Sequence, residues 1–335
     1  MKKDILELSY KSYLDVYQTQ EAIKFIKDNF EKLLSKKLNL LRVSAPLFVT
    51  NRSGLNDGLS GIEKPIGFNI PDINEDVEIV HSLAKWKRMA LSKYDIHLYK
   101  GLYTDMNAIR KDEKVDFIHS IYVDQWDWEK SILESDRNYS YLKKVVKSLY
   151  SIIYKLSIDI EKKYPNLKSS LPKNITFIST KELEKMYPLL SKKEREDEIC
   201  RKYKAVFLYQ IGERLKDGLP HDSRAADYDD WKLNGDILVY YPLYDMALEL
   251  SSMGIRVNKD RLITQLKAKK EEYKLDNEYC KSILNDQIPQ SIGGGIGQSR
   301  LCMFLLQKAH IGEVQVSIWD KEEVEELKKH NIYLL

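Results

Sequence analysis

Three stretches of this chain concentrate residues able to do chemistry. The first is Ile118 to Glu129, IHSIYVDQWDWE. Read as a strand, it sends successive side chains to opposite faces. Val123, Gln125, Asp127 and Glu129 then share one face, and Tyr122, Asp124, Trp126 and Trp128 the other. Gln125 and Asp127 side by side could present two acceptors to a cationic group such as an α-ammonium; the plainer alternative is a solvent face. The second stretch is Glu249 to Arg256, ELSSMGIR. Its carboxylate, two hydroxyls and guanidinium could hold Mg2+ on Glu249 and phosphate or ribose on the rest. Just upstream, Asp227, Asp229 and Asp230 follow Arg224. Three acids so close repel one another unless a cation or metal neutralises them, or unless they form an exposed acidic loop. The third stretch is Gly293 to Arg300, GGGIGQSR. Glycines let a backbone approach a flat ligand closely, and a guanidinium in the first turn of a following helix can stack on a base and pair with phosphate.

Other chemistries are disfavoured. The glycine run does not match G-x-G-x-x-G, and no Gly-Lys-Ser/Thr is present for a Walker loop. Glutaminase chemistry needs a reactive thiolate, often at the mature N-terminus. The three cysteines (Cys200, Cys280, Cys302) are widely spaced, with no neighbouring His. Their odd number argues against a disulfide framework and for a reducing, cytoplasmic setting. The histidines lack metal-ligand spacing. Lys+Arg 54 against Asp+Glu 51 gives a net charge of +3, so nothing demands a nucleic-acid or membrane partner. No apolar run approaches the roughly 18 residues of a transmembrane span.

These stretches need elements to position them. The 335 residues, 43% hydrophobic and 31% charged, suffice for a large core. Apolar spacing predicts a helix or two over 4–38, then a strand at about 40–49 interrupted by Pro46. A long loop is expected over 50–74. A strand at 76–80, a helix at 83–93 and strands near 102–110 and 117–128 follow. Tyr139 to Lys163 reads as the clearest helix, stopped by Pro165, and Ser191 to Glu194 as a capping box. Strands are expected at 204–210, 236–241, 245–252 and 291–296, with helices at 259–273 and 297–309. Strands come in runs rather than in β-α-β alternation, which predicts an α+β fold: a mainly antiparallel β-sheet flanked by helices. The absence of a repeat or a Pro/Ser-rich linker suggests one domain over 1–335.

The combination is familiar as a family. GGGIGQSRL closely resembles motif 3 of class II aminoacyl-tRNA synthetases, GLYTDMNAIRKDE resembles motif 2 with Arg110 as its arginine, and LLRVSAPLF resembles motif 1 with Pro46 at its end. More specifically, VHSLAKWKR, YVDQWDWE, HDSRAADYDDW, LNGDILV and ELSSMGIRV resemble the ammonia-dependent asparagine synthetases, the aspartate–ammonia ligases. The resemblance runs from about residue 5 to the C-terminus. It departs from the pattern at Ala226, where Pro is usual, and at Gly58, where Asn commonly follows the acid.

This resemblance implies a class II catalytic core, working as a homodimer, that converts L-aspartate, ATP and ammonia to L-asparagine, AMP and pyrophosphate with Mg2+. It implies aspartate-side roles for Ser82, Lys87, Gln125 and Asp127. Arg110, Ser251, Ser252, Arg256 and Arg300 fall on the nucleotide side, and Asp236 and Glu249 on the metal. Asp57 and Asp229 match acids near the reacting carboxylate, with Arg110 as the third residue of the chemistry. Asp57 suits the attraction and deprotonation of ammonium. Two alternatives are an aspartyl- or asparaginyl-tRNA synthetase, for whose N-terminal barrel motif 1 leaves no room here, and a non-catalytic paralogue, which should have lost motif residues.

Overall fold

The computed structural model describes residues 5–7, 9–59 and 63–335. Its frame is an eight-stranded sheet built from β1 (Leu40–Arg42), β5 (Gly101–Ile109), β6 (Tyr122–Ser131), β7 (Thr176–Ser179), β8 (Ala205–Tyr209), β9 (Asp229–Tyr241), β10 (Met246–Arg256) and β11 (Ser291–Gly297). The strand order is β1-β5-β6-β11-β10-β9-β8-β7. The five inner pairings are antiparallel, while the outermost pairs, β1 with β5 and β7 with β8, are parallel. The mainly antiparallel expectation therefore holds for the centre and gives way at both edges. A small antiparallel sheet is formed by β2 (Phe48–Thr50), β3 (Gly67–Ile70) and β4 (Glu75–Ile79).

One face of the large sheet is covered by α1 (Val16–Leu38), α3 (Tyr139–Lys163) and α8 (Gln298–Leu305). A capping box starts α1: Asp15 Oδ1 accepts from Gln18 N at 2.8 Å, and Gln18 Oε1 accepts from Asp15 N at 3.2 Å. Ala22, Ile26, Phe30, Leu34 and Leu38 then recur every fourth residue and are buried. Phe30 stacks on Trp126 of β6 with ring centroids 4.4 Å apart, and Trp126 Nε1 donates to Glu31 Oε1 at 3.2 Å. Trp126 and Trp128 are fully buried on this face. Alternation along β6 consequently turns Gln125, Asp127 and Glu129 to the opposite face. Helix α2 (Ala84–Lys93) packs there against β5, β6 and β11. Helices α4 (Thr180–Met186), α5 (Lys192–Tyr203), α6 (Lys259–Lys269), α7 (Glu278–Leu284) and α9 (Lys321–Lys329) complete the described helices.

Several expected boundaries move. Of the helix or two expected over 4–38, a short 3-10 helix at Ile5–Glu7 and α1 from Val16 form, and residues 4 and 8 lie outside the described residues. The 40–49 strand divides at Ser44–Leu47 into β1 and β2, which join different sheets; Pro46 cannot donate to a ladder, so the chain changes sheet there. The 50–74 segment carries β3, whose pattern is too short and too exposed to announce a strand. The 117–128 strand runs from Tyr122 to Ser131, because 110–121 forms a turn closed by Arg110 N to Ile121 O at 2.8 Å. Strand β9 begins at Asp229, seven residues before its apolar stretch, because its acidic start is paired with β10. Helices α6 and α8 stop at Lys269 and Leu305, short of the expected 273 and 309.

At the C-terminal side of the core, His310 is fully buried. Its Nδ1 accepts from Gly312 N at 2.9 Å, its ring meets Trp319 edge-on, and Glu323 lies 3.8 Å from Nε2. Burial, opposed by Asp116, pushes its pKa down to about 4. The unfolded chain therefore binds a proton that the folded one refuses between that value and about 6.5. This contribution is fully present above pH 6.5 and is lost as pH falls towards 4. His310→Asn keeps an acceptor for Gly312 N. Urea titrations at pH 7 and pH 4.5 should show wild type losing up to about 3 kcal/mol more than the variant; equal losses would contradict it.

Candidate active site

A cleft of about 370 Å³ opens on the face of the sheet opposite Trp126 and Trp128. Its floor is made where β6 meets β11. The register sets Gln125, Asp127 and Glu129 opposite Gly297, Gly295 and Gly293. A Cβ at position 295 would lie 2.4 Å from Gln125 Oε1 and 2.5 Å from Asp127 Oδ1; at 293 it would lie 1.8 Å from Glu129 Oε2. The glycines are thus needed for the space they leave above the acidic face. The solvent-face alternative for this strand fails, since Asp127 is buried and Glu129 fully so.

Asp127 is pre-set by two neighbours. Its Oδ2 accepts from Leu83 N at 3.3 Å, and its Oδ1 lies 3.4 Å from Lys87 Nζ. Lys87, on α2, also donates to Gly294 O at 2.9 Å. Burial pulls the Lys87 pKa down while Asp127 opposes that shift. Gln125 Oε1, Asp127 and Lys87 together make an acceptor pair with an adjacent cation, a set suited to the α-ammonium and a carboxylate of one small amino acid.

Beside this floor lies a corner built from three segments. Ser82 Oγ donates to Asp57 Oδ2 at 3.0 Å, and Asp57 Oδ1 accepts from Leu59 N at 2.9 Å. Arg110, at the end of β5, donates from Nη2 to His81 O at 3.3 Å. Its Nε is buried with no hydrogen-bond partner among the described residues. A buried guanidinium N–H left unpaired marks a place where a ligand acceptor fits.

The third wall comes from β9 and β10. Arg256 is buried, with Nε 3.0 Å from Glu129 Oε1, Nη2 2.7 Å from Glu129 Oε2, and Nη1 donating to Asp229. Burial alone would lower the Arg256 pKa, but Glu129 and Asp229 outweigh it and raise it. Burial raises Asp229 despite the opposing guanidinium. Arg256, expected on the nucleotide side, thus borders the cleft with its donors engaged by two acids. The crowded acids upstream each have a separate cation: Asp227 pairs with Lys85 at 3.0 Å, Asp229 with Arg256, and Asp230 with Arg137 and Arg261, each at 3.0 Å. This is the neutralised case of the two that the sequence left open.

Glu249, Ser251, Ser252 and Arg300 line the same wall, and Arg300 Nη1 donates to Glu249 O at 3.2 Å. Asp236 sits behind them, ion-paired to Arg224. Burial raises the Asp236 pKa strongly, Arg224 opposes the rise, and Glu249 adds to it. Asp236 Oδ1 and Ser251 Oγ are buried without hydrogen-bond partners among the described residues. Asp236 and Glu249 offer carboxylate oxygens of the hard type that Mg2+ takes, and one of them, Asp236 Oδ1, has no partner among the described residues. Among the described residues no group of three or more His, Cys, Asp or Glu converges on a metal. An ion held by these two carboxylates alone would keep waters and substrate oxygens as its remaining ligands.

Of the expected site residues, all but Asp236 line this one cleft, and Asp236 backs it through Arg224. Three supporting residues were not singled out from sequence. Glu129 shares the strand face of Gln125 and Asp127, so the alternation could have found it. Arg224 was visible only as a neighbour of the acids. Asn56, which ties the Asp57 loop to the Ser82 segment, had no sequence signal.

Residues 17–331 match the family model described as aspartate-ammonia ligase. This chain belongs to the aspartate–ammonia ligase family. Similar curated relatives include the aspartate–ammonia ligases of Fusobacterium nucleatum subsp. nucleatum, 56% identical over 98% of this chain and 100% of theirs, and of Ruminiclostridium cellulolyticum, 54% identical over 97% of each. Among solved structures, asparaginyl-tRNA synthetase from Pyrococcus horikoshii complexed with asparaginyl-adenylate aligns with a TM-score of 0.65 at 15% identity, over 89% of this chain and 68% of that one. The Entamoeba histolytica asparaginyl-tRNA synthetase with asparaginyl-adenylate gives 0.64 at 14%, over 90% and 66%. At such identity these neighbours show a shared fold, the class II synthetase core, and this chain spans about two thirds of their length.

Within this ligase family the Asp127 assignment makes a specific prediction. Asp127→Asn keeps the shape but removes the charge that, on this assignment, would face an α-ammonium unchanged during the reaction. Loss of uniform binding raises KM more than it lowers kcat. The aspartate KM should rise about tenfold or more, with the ATP KM moving little, and Gln125→Ala should do the same more weakly. An unchanged aspartate KM, or a raised ATP KM instead, would remove the 122–131 strand from the amino-acid pocket.

Proposed function

We propose that this cleft joins L-aspartate and ammonia into L-asparagine through a β-aspartyl-adenylate, releasing pyrophosphate and then AMP. The observation that carries the reading is the adjacency, in one cleft, of an amino-acid floor (Gln125, Asp127, Lys87) and of guanidinium donors at Arg110 and Arg300. A carboxylate does not yield an amide with ammonia at useful rates, because an oxide is a poor leaving group. Attack of the β-carboxylate oxygen on the α-phosphorus of ATP forms the acyl–phosphate bond and breaks the bond to pyrophosphate. Charge grows on the α-phosphoryl oxygens as this happens, and a pre-placed Arg110 lowers that barrier. Arg300, Ser251 and Ser252 hold the nucleotide. Asp236 and Glu249 would hold Mg2+, which supplies neutralisation of phosphate charge. In the second step ammonia nitrogen bonds to the acyl carbon, the carbon–oxygen bond to AMP breaks, and one proton is released. Ammonium predominates at neutral pH, and Asp57, with Asp229 nearby, attracts the cation and takes its proton.

Ammonium rather than glutamine is the proposed nitrogen source. Burial pushes the Cys280 and Cys302 thiols up to about 12 and raises Cys200 further, so none offers a thiolate near neutral pH. We read residues 1–335 as one catalytic domain acting in the cytoplasm as a homodimer, on the motif 1 resemblance and the free cysteines, without nucleic-acid or membrane partners; no described helix is long and apolar enough to cross a membrane. The test is a product assay with aspartate, ATP and either ammonium or glutamine. AMP and pyrophosphate should appear in equal amounts with asparagine, and only with ammonium. Stoichiometric ADP and phosphate would overturn the adenylate, and equal rates with glutamine in ammonia-free buffer would overturn the nitrogen source.

A further inference from the structure

The loop carrying Asp57 and the segment carrying Ser82 are not neighbours in sequence, yet the Ser82–Asp57 hydrogen bond requires their relative placement to within a few tenths of an ångström. One side chain joins them. Asn56 Oδ1 accepts from Asp57 N at 3.0 Å and from His81 N at 2.9 Å. Its Nδ2 donates to Ile79 O at 3.2 Å and to Glu78 Oε2 at 3.1 Å. Both lone-pair sites and both N–H groups of one primary amide are thereby used, and every partner but Asp57 lies on the Glu78–His81 segment. The peptide groups that Asn56 holds immediately precede the two site side chains: its own bond with Asp57, and the His81 unit that leads into Ser82. His81 Nδ1 reaches back to Asp57 O at 3.2 Å, closing the same contact from the other side. Asp57 and His81 are buried, while Asn56, Glu78 and Ile79 are half-buried, so water does not readily replace the bonds at the buried Asp57 and His81 ends.

We propose that Asn56 is a positioning residue for the amidation step, acting through Asp57 by fixing its carboxylate against Ser82. This rests on the reading of Asp57 as the acid that handles ammonium. An amide suits the task because it accepts two N–H groups and donates two of its own without adding charge beside Asp57. A hydroxyl lacks the reach to make four bonds, and a carboxylate cannot donate. A misplacement of about 1 Å can cost up to about a hundredfold in rate, so the expected effect is large for a side chain that need not touch substrate.

The two half-reactions separate positioning from general damage. Aspartate-dependent exchange of pyrophosphate into ATP, run without ammonium, reports adenylation; asparagine formation at varied ammonium reports amidation. In Asn56→Ala, kcat/KM for ammonium should fall by about ten- to a hundredfold, while exchange stays within about threefold. Equal loss in both assays would mean a merely structural role and would overturn the proposal, as would no loss in either. Asp57→Asn tests the underlying reading by itself: if it spares the ammonium step, that reading fails whatever Asn56 does. With Asp57→Asn impaired, the double variant Asn56→Ala/Asp57→Asn should be no worse than Asp57→Asn alone, because both changes disable one device. Losses that multiply would show that Asn56 does not act through Asp57. If Asn56→Ala does not fold, the same cycle is run with Asn56→Ser, which adds no charge beside Asp57 but cannot make all four bonds; non-additivity is again expected, and multiplied losses again overturn the proposal.

Discussion

Arg110→Ala is expected to lower kcat for asparagine formation by about 10²–10³, the range for removing one pre-placed donor to a developing oxyanion. The structure sharpens this expectation. Among the described residues Arg110 donates from Nη2 to the His81 carbonyl, at a long 3.3 Å, and its Nε is buried without a partner. The guanidinium is therefore held in place but not consumed by the protein. Because its charge is needed most where phosphoryl charge grows, kcat and kcat/KM should fall together and the ATP KM should change less. The fold should survive, since among the described residues the Arg110 side chain bonds only to a backbone carbonyl. Pyrophosphate exchange and steady-state kinetics on the same preparation, with a melting curve, make the test. A rise in ATP KM at unchanged kcat would assign Arg110 to ground-state binding.

Arg256→Met should have a large effect of a different kind. Arg256 is sandwiched between Glu129 and Asp229, and all three side chains are buried. Removing the cation leaves two carboxylates close together and out of water, which typically costs about 3–5 kcal/mol. Asp229 is already raised by burial, with Arg256 opposing, so the variant should push it higher. A carboxyl whose folded pKa is raised adds stability while protonated and loses it as pH climbs through that value. The deficit of Arg256→Met in urea should therefore be greater at pH 8 than at pH 5. A deficit independent of pH would mean that the pair of acids is not what the variant exposes. A fully stable variant lacking activity would support the nucleotide-side role expected for Arg256.

Much of the site was legible in the sequence because strand alternation is strict. Gln125 and Asp127 fall on one face whatever the surrounding fold, and the same rule carries Glu129 with them. The structure supplies the sign: Trp126 and Trp128 are buried beneath the covering helices, which leaves Gln125 and Asp127 on the cleft side. Boundaries were less legible where polar sequence sits in a strand. Asp229 to Gly235 reads as a loop, yet β10 supplies its pairing partners and Arg256, Arg137 and Arg261 supply its charge. The small sheet was hidden because β3 is nearly all exposed and draws its order from β4. The engagement of Arg256 by two acids was illegible for another reason: it depends on contacts across more than a hundred positions, from Glu129 to Arg256, which no local pattern encodes.

The strand order has a consequence for synthesis. Strand β11, the last strand along the chain, sits in the middle of the sheet between β6 and β10. Without Ser291 to Gly297 the remaining strands can pair only as two separate groups, β1-β5-β6 and β10-β9-β8-β7, with the β6 and β10 edges unpaired. Those edges are among the longest strands in the molecule, and unpaired strand edges of this kind invite pairing with other chains. A weak strand-forming run of glycines must then close the seam, because any bulkier residue at 293 or 295 would fill the chamber it completes. The cleft floor is thus completed by a glycine-rich segment of weak strand propensity, and chains ending short of it should lack the floor and expose two long strand edges.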